Sequence, residues 1–100
     1  MNEIHELFTI GESLVVNIKN DEELKKLLNK CHTVLGINKD HITFFRRFKL
    51  KDLQYSAGIK RIADGNVCIE YDPYRGFTAG DRKHYEKYGI TVVPLEDFLK

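Results

Sequence analysis

Asp64-Gly65, set between two apolar runs, narrows the folds open to this chain more than any other feature. A glycine-bearing pair of this kind supplies the positive φ that a tight reversal needs, and it is the strongest short-range hairpin signal. After it, Asn66–Asp72 alternates. Val67, Ile69 and Tyr71 fall on one face, and Cys68, Glu70 and Asp72 on the other, the period of a strand. Thr78 can cap a helix, with Asp81 three residues on in the capping-box position usually held by Glu or Gln. Gly89 stops that helix, and Ile90–Val93 is a short β-branched strand closed by Pro94. A strand, a loop, a helix and a strand predict a crossover unit with parallel strands. The loop Asp72–Phe77 would then lie at the carboxyl end of a strand and just before a helix N-terminus, where α/β domains often hold ligands.

The preceding residues supply the rest of a core. Met1–Glu12 reads as a short arm, with Ile4, Leu7 and Phe8 at helical spacing, and Ser13–Ile18 reads as a strand. Asn20 and Glu23 form a capping box. Leu24, Leu27, Leu28, Cys31, Val34 and Leu35 then make one apolar stripe, closed by Gly36, while Lys25, Lys26 and Lys30 face water. In residues 41–50, Ile42, Phe44, Phe48 and Leu50 alternate around Arg46, which predicts a strand, although Phe44 with Phe48 also suits a helix. Leu53, Tyr55, Ala57 and Ile59 alternate in turn. The expectation is a single α+β domain of order β-α-β-β-β-α-β: a three-strand antiparallel meander, a C-terminal βαβ-type crossover and a last turn at Leu95–Leu99. One hundred residues suffice for one such core.

Composition excludes several classes. No apolar run approaches the roughly 20 residues needed to cross a bilayer, so no membrane association is expected. Cys31 and Cys68 lack C-x-x-C spacing, which predicts two buried thiols in a reducing, cytoplasmic setting. His5, His32, His41 and His84 lack metal-ligand spacing, so zinc is not expected. The net charge is only +1, which argues against a protein held to nucleic acid by bulk charge. The charge is uneven, however. Residues 41–62 carry Arg46, Arg47, Lys49, Lys51, Lys60 and Arg61 against Asp52 alone.

That middle third is the candidate anion-binding face. Phe44-Phe45-Arg46-Arg47-Phe48-Lys49 interleaves rings with cations, which suits nucleic acid because bases stack on rings and phosphates pair with arginine. The plain alternative is a strand with its apolar side inward and its cations in water. In the loop, Asp72, Tyr74, Arg75 and Arg82 accompany Gly76 and Gly80, and Arg75 can grip a phosphate or carboxylate in a bidentate way. Here the alternative is an ordinary turn in which Asp72 pairs with Arg75. Tyr85 and Tyr88 seat the second helix on the sheet or, if exposed, form a partner-binding patch.

The order αβββαβ from the first helix onward resembles the core of the restriction-endonuclease-like nucleases. The tail GFTAGDRKHYEKYGITVVPLEDFL looks like their pattern of a capped helix, a glycine, a hydrophobic strand and a short acidic-apolar helix. VCIEYDP resembles their third core strand, which carries E-x-K, and Glu70 falls on the family's Glu. In such enzymes acidic groups from adjacent strands hold Mg²⁺ while the Lys positions or activates water. This chain departs at two positions. Asp72 stands at the Lys, and Gly58-Ile59-Lys60-Arg61 stands where Pro-Asp is expected. The resemblance therefore implies a fold that keeps binding and has lost the chemistry.

Three functions follow as expectations. The first is a non-catalytic module for nucleic acid or nucleotide through Arg46, Arg47, Lys49, Lys60, Arg61, Tyr74, Arg75 and Arg82, with no cofactor. The second is a small protein-binding regulator or inhibitor acting by occlusion. The third is a nuclease with Glu70 and Asp72 as catalytic and Mg²⁺-binding residues.

Overall fold

The computed structural model describes residues 14–33, 37–55, 60–72 and 76–99. Among these, four strands form one mixed sheet: β1 (Leu14–Ile18), β2 (Val67–Asp72), β3 (Gly76–Asp81) and β4 (Thr91–Pro94), in the order β3-β2-β1-β4. The helices are α1 (Asp21–Thr33), α2 (Lys39–Phe45), α3 (Leu50–Leu53), α4 (Arg82–Lys87) and α5 (Leu95–Phe98). The α+β class is as the sequence indicates.

Alternation along the strands builds two unequal faces. Val16, Ile18, Val67, Ile69, Tyr71, Phe77 and Val93 point to one side. There they meet Leu24, Leu27, Leu28 and Cys31 of α1, Ile42 and Phe45 of α2, Leu53 of α3, and Leu95 and Phe98 of α5. The other side is small: Val15 and Cys68 lie under Tyr85 of α4, flanked by Ile90 and Val92. Asn17 is buried on that side, where its Nδ2 donates to the carbonyls of Gly65 (2.9 Å) and Val67 (3.0 Å). This pins the Asp64-Gly65 turn, with Gly65 at φ +83, against β1.

The first helix follows its sequence signals. Asn20 Oδ1 accepts from the Glu23 N–H at 2.8 Å, and Glu23 Oε1 reaches back to the Lys19 N–H at 2.7 Å. Val34, Leu35 and Gly36 lie outside the described residues, as do residues 1–13 with the expected arm.

Three expectations are corrected. Residues 41–50 do not form a strand. Asn38 Oδ1 accepts from the Asp40 N–H and opens α2, and the buried pair Ile42 and Phe45 has helical, not alternating, spacing. Leu53 belongs to a helical turn rather than to a strand over 53–60; Tyr55 beyond it is exposed, and residues 56–59 lie outside the described set. The expected meander thus uses the wrong segments, and the three antiparallel strands are β1, β2 and β3. Finally, Thr78 is not a helix cap and no loop runs from Asp72 to a helix. β3 pairs antiparallel with β2 from Gly76 onward, and Asp81 caps α4 through its Oδ1, which accepts from the Lys83 N–H at 3.0 Å. Because β3 reverses the chain before the helix, β4 runs parallel to β1 and opposite to β2. The crossover therefore carries the chain from one sheet edge to the other, over the Val15–Cys68 face.

Both cysteines are buried free thiols, and burial pushes Cys31 up to about 12 and Cys68 up to about 11 from the ordinary 9.0. An unfolded thiol ionises near 9, so above that pH the folded state holds the extra protons and stability falls as pH rises toward 11 to 12. Tyr85, also raised by burial, acts in the same direction, and Lys30, lowered by its partial desolvation, opposes it. Melting temperature should be unaffected by these thiols below pH 9 and decline above it, and iodoacetamide at pH 8 should label neither cysteine until the chain is unfolded. Labelling of the native chain at the unfolded rate would refute the buried placement.

Candidate nucleic-acid interface

The chain leaves α2 at Arg46 and passes through Arg47, Phe48 and Lys49 before α3 begins. Two polar contacts hold this link against α1. Arg46 Nη2 donates to Asn29 Oδ1 at 2.9 Å, and Asp21 Oδ1 accepts from the Leu50 N–H at 2.7 Å. Between them lies a groove of about 480 Å³. Leu24, Leu28 and Phe48 form its apolar lining, and Lys25, Arg46, Arg47 and Lys49 are exposed cations along it.

Among the described residues, none of these four cations forms an ion pair with a carboxylate. Asp21 is the acid on the groove, and it is engaged in tethering the start of α3. The arrangement leaves an excess of positive charge over a lining that can cover an apolar ring. Guanidinium groups suit phosphate, since their planar donors match its oxygens in pairs.

The other candidates from the sequence do not join this groove. Arg61 Nη2 is paired to Asp64 Oδ1 at 2.7 Å. Asp64 also accepts from Gln54 Nε2 at 2.7 Å, and these two donors, Gln54 first, hold its carboxyl below the usual range. Arg82 Nε lies 3.3 Å from Glu86 Oε2. Lys60 lines a separate hollow of about 420 Å³ with Glu70, Thr78, His84 and Tyr85, on the α4 side of the sheet. Tyr74 and Arg75 lie outside the described residues. No family model, characterised protein or solved structure matches the chain.

Glu70 accepts from Thr78 Oγ1 at 3.2 Å and sits beside Tyr85. Asp72 ends β2, and its side chain is outside the described set. Among the described residues, no three His, Cys, Asp or Glu side chains gather as metal ligands. Likewise no helix there is long and apolar enough to cross a membrane. His41 lies within hydrogen-bonding distance of Tyr71 Oη (Nδ1 at 3.0 Å), away from the groove. Tyr85 seats α4 on the sheet, while Tyr88 is exposed.

Lys25 and Asn29 are the site residues that sequence reasoning misses. They stand one turn apart on the outer side of α1, a spacing visible in the sequence. What brings Arg46 to them is the helical course of residues 39–45, which the expected strand concealed.

Proposed function

We propose that this chain binds single-stranded nucleic acid, without catalysing chemistry on it, through the groove between α1 and residues 46–49. The observation that supports this is the convergence of Lys25, Arg46, Arg47 and Lys49 on one Phe48-walled surface, with no carboxylate ion-paired to them among the described residues. A groove of this size suits a few nucleotides of one strand rather than the breadth of a duplex. The two protonated buried thiols accord with a reducing compartment such as the cytoplasm.

Anisotropy of a short fluorescein-labelled single strand, measured across a salt series, tests the reading. Four phosphate contacts give a log–log slope of about −3, and Arg46→Ala/Arg47→Ala should make it shallower by about 1.4 while weakening binding. A double variant that binds as well as the parent, with an unchanged slope, removes the proposal.

Exposed Phe44 and Tyr55, at 58% and 62%, favour a second reading, a regulator that occludes a protein partner. It requires a stoichiometric complex that survives nuclease treatment. A Mg²⁺-dependent nuclease using Glu70 and Asp72 has less support, and equal cleavage by the parent and Glu70→Gln would exclude it.

A further inference from the structure

Phe48 is a wall shared by two depressions. On one side is the cationic groove. On the other is a cleft of about 270 Å³ lined by Phe44, Phe45, Phe48, Leu53, Phe77 and Ala79, with Asp52 and Thr78 as its polar members. The rings of this cleft pack on one another at centroid distances of 5.2 to 5.8 Å: Phe45 on Phe77, Phe44 on Phe48, and Phe45 on Phe48. Phe45 and Phe77 are buried, yet Phe44 is 58% exposed. The Arg47 guanidinium stands 5.9 Å from the centroid of the Phe44 ring, so a cation of the groove leans over the aromatic rim of the cleft.

We infer that this cleft takes one unpaired guanine of the strand whose phosphates occupy the adjoining groove. The inference rests on the nucleic-acid reading of that groove. A flat aromatic ligand fits a cleft of rings, and a base joined through its sugar to a phosphate accounts for the two depressions meeting at Phe48. An apolar peptide side chain would fill the cleft but leave the cations without a partner.

Asp52 selects the base. Its Oδ2 accepts from the Lys49 N–H at 2.9 Å, which orients the carboxylate and leaves acceptor capacity on both oxygens. Guanine offers two adjacent donors, N1–H and the N2 amino group, which match a carboxylate. Adenine and cytosine present an acceptor nitrogen beside their single amino group, and that lone pair repels a carboxylate. Thymine and uracil offer one N–H between two carbonyls.

Anisotropy titrations with thymidine strands of equal length, carrying at one central position a guanosine, an adenosine or an abasic site, test this. The guanosine strand should bind about tenfold more tightly than either of the others. Phe44→Ala, a change at an exposed position of the cleft rim, should erase this gain. Asp52→Asn should remove the preference for guanosine over adenosine. Guanosine and adenosine strands bound equally overturn the base assignment. Equal binding of the guanosine and abasic strands, with the steep salt slope retained, overturns the cleft as a base subsite and leaves the groove reading intact. No salt-dependent binding of any strand overturns both.

Discussion

Phe98→Ala is expected to lower the unfolding free energy by about 3–5 kcal/mol, a large fraction of the roughly 5–15 kcal/mol that holds a domain of this size. Phe98 is fully buried and is the largest of the completely enclosed side chains. It sits on the four-residue α5, which is too short to be stable alone and is held by what Leu95 and Phe98 bury. Its ring fills space among α1 and the sheet, with Lys30 Nζ 5.7 Å from the ring centroid. Truncation removes apolar burial and leaves a cavity that rigid strands cannot collapse into. Urea unfolding should show a lower midpoint with an unchanged slope. A loss below about 1 kcal/mol would mean that the ring is not a core element.

Gly80→Ala should cost about 1–3 kcal/mol, and the cost should vanish or change sign when Tyr85 is also replaced by alanine. A Cβ at position 80 would lie 2.6 Å from Tyr85 Oη and 2.9 Å from two ring carbons. Tyr85 cannot swing away cheaply, because it is buried and joins α4 to the second face of the sheet. Without that ring, alanine suits a strand better than glycine, whose unfolded chain has more freedom to lose. A double-mutant cycle by thermal or urea unfolding reads the coupling. Strict additivity would show that the ring does not cover Gly80.

Local periodicity carried much of the fold. The Asn20–Glu23 cap and the Leu24, Leu27, Leu28, Cys31 stripe define α1, and the alternation of Val67, Ile69 and Tyr71 defines β2, because each pattern coincides with what is buried. The misread segments are those where propensity and burial part company. Residues 41–45 are β-branched and aromatic, yet the Asn38 cap and the one-turn spacing of Ile42 and Phe45 make them helical. Residues 76–81 include two glycines and carry little strand signal of their own. Pairing along all six residues with β2 and the ring over Gly80 hold them extended. The same limit applies to the site. Arg46, Arg47 and Lys49 were visible as a basic run, but Lys60 and Arg61 belong to the same run and are elsewhere in space. Arg61 is drawn to Asp64 at the turn, a pairing that charge counting does not reveal.

The inner position of β1 has a consequence for synthesis. Its two sheet neighbours come from residues 67–72 and 91–94, so Val15, Val16 and Ile18 emerge from the ribosome long before anything exists to pair with them. Closing the sheet must wait for nearly eighty further residues, and such distant pairings slow folding. During that interval the nascent chain presents an unsatisfied hydrophobic strand, the kind of segment that chaperones shield and that aggregates when they do not.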